Sequence, residues 1–109
     1  MEGTRVGDDG GHAALLRRMD EDLVLRGRSQ NTRDSSLPHA RLFLDFCDRP
    51  VDQLDTDDIR RFLAFLITEQ HLTASTVNAY RAALRFLFAV TLNYLQISRL
   101  KHIDAFFDP

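Results

Sequence analysis

Cysteine occurs once in this chain, tryptophan not at all, and lysine only at position 101. A single cysteine excludes an internal disulfide. Cys47 sits in LFLDFC among apolar neighbours and reads as a buried thiol, not a nucleophile. Long hydrophobic runs are also missing. No stretch approaches the roughly 20 apolar residues needed to cross a bilayer. The opening MEGTRVGDDGGH lacks the apolar core of a signal peptide. A cytoplasmic protein with no membrane partner is the expectation. The histidines, at 12, 39, 71 and 102, are too far apart for metal-ligand spacing. There is no Gly-rich phosphate loop and no nucleophile–base spacing, so an enzymatic reading is the weakest. No cofactor, metal or small-molecule substrate is expected. Strand signals are absent throughout, which leaves an all-α chain.

What is present supports one domain. The 109 residues are 44% hydrophobic and include eight Phe, enough for a compact core. Charged residues make up 28% with a net charge of −2, so nothing requires disorder of the whole chain. Thirteen of the fourteen Lys and Arg are Arg, a type suited to bidentate recognition of phosphate or carboxylate. A biased genome composition would produce the same excess. A pI near 6.0 argues against a broad basic surface. The charge is uneven, however. Residues 1–60 hold nine Arg against thirteen acids, whereas residues 61–109 hold four Arg and Lys101 against three acids.

Residues 1–12 contain four of the five glycines and read as a mobile tail. Residues 13–93 form the expected helical domain, and 94–109 a C-terminal segment. The first helix is expected over Ala13 to Arg26. Leu15, Leu16, Met19 and Leu23 form its buried stripe, Asp20, Glu21 and Asp22 face water, and Gly27 stops it. Ser29 is a plausible N-cap for the second helix, with Thr32 in its first turn. Pro38 complicates that helix, because a proline inside it removes a hydrogen bond and crowds the carbonyl of Asp34. Either the helix kinks, or Ser36 caps a regular part from about Leu37 to Asp48, with Leu42, Phe43 and Phe46 on its apolar face. A connector over Val51 to Asp55 precedes a third helix. Asp55 or Thr56 caps it, Asp57 and Asp58 complement its dipole, and Ile59, Phe62, Leu63 and Leu66 form its core face, to about Glu69.

The fourth helix, Thr73 to about Asn93, has the clearest periodicity. Val77, Tyr80, Leu84, Leu87, Phe88 and Thr91 recur at spacings of three and four and form one stripe. Ser75, Asn78, Arg81, Ala82, Arg85 and Ala89 fall on a neighbouring arc. Ala79, Phe86 and Val90 form a third side, to be covered by the C-terminal segment or by a partner. Periodicity alone favours a core helix with ordinary solvated arginines. A short final helix over about Ser98 to Ala105 completes a bundle of four to five helices with short connections.

Three segments, in order, resemble the N-terminal SAM-like core-binding domain of the tyrosine recombinase, or phage integrase, family. They are LVLRGRSQNTRDSSLPHARLFLDFC (Leu23–Cys47), LDTDDIRRFLAFL (Leu54–Leu66) and LTASTVNAYRAALRFLFAVTL (Leu72–Leu92). The third is the closest match and is most similar to the integron-integrase and transposon-associated branch. The resemblance implies a module that binds duplex DNA, with its second and fourth helices near the major groove. The family's catalytic residues lie in another domain. Neither Tyr80 nor Tyr94 is assigned as a nucleophile, so no catalysis is expected of this chain by itself. Pro38 and Ser36 depart from the family pattern, as does IDAFFDP after His102, which stands where a basic linker would continue and reads as a truncation.

Under this reading Arg81 and Arg85 replace counterions at phosphates, and Asn78 can pair with a base. Ser75 and Thr76 offer hydroxyl and backbone N–H groups to a phosphate. On the second helix Arg28, Thr32, Arg33 and Arg41 are comparable candidates, although Arg41 can instead pair with Asp45 one turn later. Lys101 extends the basic side. With so many acids nearby, binding by the isolated domain should be weak and salt-sensitive, micromolar or weaker. The alternative is a helical protein-interaction module that acts through self-association, recombinase protomers or another partner, using the third side of the fourth helix with Phe106 and Phe107.

Overall fold

The computed structural model describes the backbone of residues 4–92 and the side chains of residues 12–92. Among these residues four α-helices form an all-α fold with no strand: α1 (Thr4–Leu25), α2 (Gln30–Cys47), α3 (Thr56–Thr68) and α4 (Ala74–Phe86). A 3-10 turn, Val51–Gln53, joins α2 to α3, and a π-helical turn, Leu87–Leu92, continues α4. The final helix expected over 98–105 lies outside the described residues.

Local chemistry explains each boundary. Gly27 takes φ +74, and the Gly27 and Arg28 N–H groups donate to the carbonyls of Val24 (2.9 Å) and Leu23 (3.0 Å). This double closure satisfies the last carbonyls of α1, and only glycine takes that backbone conformation at no steric cost. At the start of α2 the Ser29 hydroxyl accepts from the Thr32 N–H at 3.2 Å. Asp48, in the left-handed region with φ 49, ends α2. Asp55 caps α3 by accepting from the N–H groups of Asp57 and Asp58, while the Asp58 carboxylate accepts from the Asp55 N–H at 2.9 Å. Thr73 caps α4 through the Thr76 N–H at 3.3 Å.

Several expectations need correction. α2 is not restarted at Ser36; it runs unbroken from Gln30 through Pro38. The Ser29 cap nucleates it, and Pro38 and Asp34, the residue whose carbonyl loses its helical donor, are both exposed. α1 begins at Thr4, so helix occupies most of the stretch read as a tail. Extending an existing helix costs far less than nucleating one. Asp22, expected in water, is buried. Phe43 is buried as expected, but Leu42 and Phe46 remain 43% and 40% exposed, and Ala40 and Leu44 join Phe43 on the buried face of α2.

The core sits where α4 crosses α2, with α1 and α3 closing its sides. Met19 and Leu23 from α1, Phe43 and Leu44 from α2, Ile59, Phe62 and Leu66 from α3, and Leu84, Leu87 and Phe88 from the α4 region are fully buried. Phe43 contacts Phe62 and Phe88 edge-on, at ring separations of 5.4 and 5.8 Å. Edge-to-face pairs add about 0.5–1.5 kcal/mol each beyond the area they bury. Two polar sites are built into this core. The Thr91 hydroxyl donates to Asp22 at 2.9 Å, fully buried, and ties the π-helical turn to α1. Asp58 is held by Arg49 at 2.8 Å and Arg61 at 2.6 Å, which tie the α2–α3 connection to α3.

Candidate nucleic-acid interface

α4 positions the site. Its apolar stripe fixes its rotation: Val77, Leu84, Leu87, Phe88 and Thr91 are buried, and Tyr80 packs against the core half-exposed. The neighbouring arc is thereby turned outward. Ser75, Thr76, Asn78, Ala82 and Arg85 are exposed, and Arg81 is half-buried. Arg81 makes no ion pair among the described residues. The face thus combines hydroxyls at the helix N-terminus, an amide, a small residue that permits close approach, and two guanidinium groups one turn apart. Such a set can hold phosphate oxygens and reach a base edge.

The candidates on and before α2 divide into two groups. Arg28 joins the α4 site. Its guanidinium lies 6.0 Å from the Phe86 ring centre, and with Ala82, Arg85, Phe86, Ala89 and Val90 it lines a groove of about 480 Å³. Phe86 and Val90, the third side of α4, form its half-buried apolar floor. Arg33 is committed elsewhere. It donates to Asp20 from Nε at 2.7 Å and from a terminal nitrogen at 3.2 Å. This hydrogen-bonded pair holds the Asp20 carboxyl below its usual range. Arg41 lies 4.0 Å from Asp45, the looser intrahelical pairing expected from their spacing. Thr32, exposed, accepts from the Ser29 hydroxyl at 3.1 Å. Lys101 lies outside the described residues.

α2 and α4 also meet through a ring stack. His39 and Tyr80 lie 3.8 Å apart, nearly parallel. Partial burial lowers the imidazole's pKa and so disfavours a charge on this face. Neither the stack nor the Arg33–Asp20 pair was anticipated. Both join residues far apart in sequence, and no periodic pattern encodes them. Cys47 is half-buried, and burial pushes its thiol up to about 12, consistent with the inert role read from its neighbours. Among the described residues no group of three or more His, Cys, Asp or Glu could hold a metal ion. None of the described helices is long and apolar enough to cross a membrane.

These features define a small all-α domain whose fourth helix presents a polar, arginine-bearing face. Residues 15–97 match the family model described as phage integrase, N-terminal SAM-like domain. The chain belongs to that family. It is also 38% identical over 78 residues to the Sinorhizobium fredii protein named "Putative integrase/recombinase y4qK". That alignment covers 72% of this chain and 25% of the relative, so the chain spans about a quarter of the relative's length. No solved structure matches the chain significantly.

Proposed function

We propose that this chain is a DNA-binding, core-binding domain that positions duplex DNA for a tyrosine recombinase reaction. The observation that carries the reading is the outward arc of α4. Ser75, Asn78, Ala82 and Arg85 are all exposed, with Arg81 beside them, while the stripe behind them is buried. The family membership and the integrase/recombinase name of the relative support it. Arg28 extends the cationic surface across the groove, and Thr32 and Thr76 offer hydroxyls at the starts of α2 and α4. Arg33 and Arg41 contribute less, because Asp20 and Asp45 already offset their charges. The domain grips and orients the duplex, and strand cleavage belongs to residues outside it. Tyr80, stacked on His39 against the core, is structural.

Each phosphate contact displaces about 0.9 counterion, so affinity falls steeply with salt. Fluorescence anisotropy with a labelled duplex at about 50 mM and 200 mM salt tests the reading. Micromolar or weaker binding that is lost at the higher salt is expected. No binding at either concentration removes the DNA assignment.

A second reading, a protein-interaction module, is favoured by the apolar floor of the groove and by Leu25, which is 82% exposed. Mass measurement in solution separates the two. A stable dimer that ignores DNA supports the second.

A further inference from the structure

The outer side of α2 carries a short pattern that the α4 face does not use. Leu42 and Phe46, one turn apart, are 43% and 40% exposed. Arg41 and Asp45, also one turn apart, stand beside them, both exposed. Phe46 is exposed yet held in place, its ring 5.2 Å from that of Phe62 and 5.0 Å from that of Phe65. We propose that this side of α2 pairs with the same side of a second copy of the chain. The two helices run antiparallel about a twofold axis, with Leu42 against the second copy's Phe46 and Arg41 against its Asp45.

Three considerations make a second copy the occupant. The pattern is its own complement. An axis midway between Phe43 and Leu44 brings position 41 opposite 45, and 42 opposite 46, to within about 1.5 Å of helical rise. A twofold axis makes each contact twice, so one arginine and one acid per chain give two ion pairs. The charges are also available. Arg41 lies 4.0 Å from Asp45 within its own helix, and the other cation near Asp45 among the described residues is His12 at 3.6 Å. Neither is a close contact, and arginine meets a carboxylate at shorter range through directed, charge-assisted hydrogen bonds. Finally, Phe46 is already ordered by Phe62 and Phe65, so covering it loses little side-chain freedom. Buried aromatic anchors are the residues that dominate interface energy. The contact is small, so pairing should be weak, with a dissociation constant of about 0.1–1 mM. The α4 arc belongs to another helix and takes no part in it, so the pairing does not depend on the DNA reading.

Sedimentation equilibrium of the whole chain without DNA, from about 0.02 to 1 mM, tests this. The wild type should pass from monomer towards dimer across that range. L42S, a change at an exposed position, should remain monomeric, with circular dichroism verifying that each variant is folded. R41D sets two carboxylates against each other at each contact, and D45R sets two guanidinium groups. Each should weaken pairing about tenfold. Mixed in equal amounts, R41D and D45R place opposite charges across the contact and should pair about tenfold more tightly than either alone. The pairing within one helix is lost in both variants and mixing cannot restore it, so only a contact between copies gives that rescue. A wild type that is wholly monomeric at about 1 mM overturns the proposal. So does a dimer that L42S leaves unchanged, or one in which mixing R41D with D45R gives no rescue. Any of these results leaves the DNA reading of α4 untouched.

Discussion

Replacing Asp58 by alanine removes three partners in one step. The carboxylate is fully buried, with one oxygen accepting from Arg49 at 2.8 Å and Arg61 at 2.6 Å. The other accepts from the Asp55 N–H at 2.9 Å and completes the capping box of α3. Breaking a buried ion pair typically costs about 3–5 kcal/mol. Arg49 and Arg61 are 39% and 59% exposed, so both recover water and the cost falls toward the lower end. Loss of half the capping box is worth about 1 kcal/mol within that total. We expect D58A to lose about 3 kcal/mol in urea unfolding followed by circular dichroism, and about 15 °C in Tm. The pH dependence adds a second test. Burial by itself raises the carboxyl, but the Asp55 N–H and then Arg61 and Arg49 outweigh it, and the folded pKa lies below the usual aspartate value. A depressed folded pKa means that the contribution is complete above about pH 4 and disappears as pH falls through the folded value. The stability gap between wild type and D58N should therefore be constant from pH 7 to about 5 and narrow below about pH 4. A loss below about 1 kcal/mol in D58A, or a gap that widens in acid, would refute the reasoning.

Other consequences can be checked directly. Thr91→Val removes the donor to buried Asp22 without changing shape and should cost about 2–3 kcal/mol, whereas Thr91→Ser should cost less than half of that; urea titration decides. Pro38→Ala restores a backbone donor inside α2 and should stabilise the domain by at least about 1 kcal/mol in the same assay. With its thiol at about 12, Cys47 should react with a disulfide reagent at pH 8 at least tenfold more slowly in the folded protein than in urea. The double variant R81A/R85A should bind duplex DNA at least tenfold more weakly and lower the salt slope by about two, by anisotropy.

The helical layout was legible because each helix carries its own start signal and periodicity. Ser29, Asp55 and Thr73 cap where their side-chain chemistry places them, and Val77 through Thr91 form the predicted stripe. The misread charged residues have one cause in common. A local pattern cannot show which charges find distant partners. Asp22 appeared to be a solvent-facing acid until Thr91, 69 residues away, met it in the core. Arg33 looked equivalent to Arg28, yet Asp20 across the α1–α2 turn takes its charge. Pro38 argued for a break, but its exposure removes the need for one. The α4 arc was visible as an arc. Its outward orientation follows only from the packing of the neighbouring stripe.

The central claim is that the α4 face meets DNA. Titrating a short duplex into nitrogen-15-labelled protein and following amide and arginine Nε–H shifts tests it most directly. We expect the largest shifts at Ser75, Asn78, Arg81 and Arg85, with Arg60 on α3 unmoved. Shifts centred on α3, or none along α4 at saturating duplex, would contradict the account.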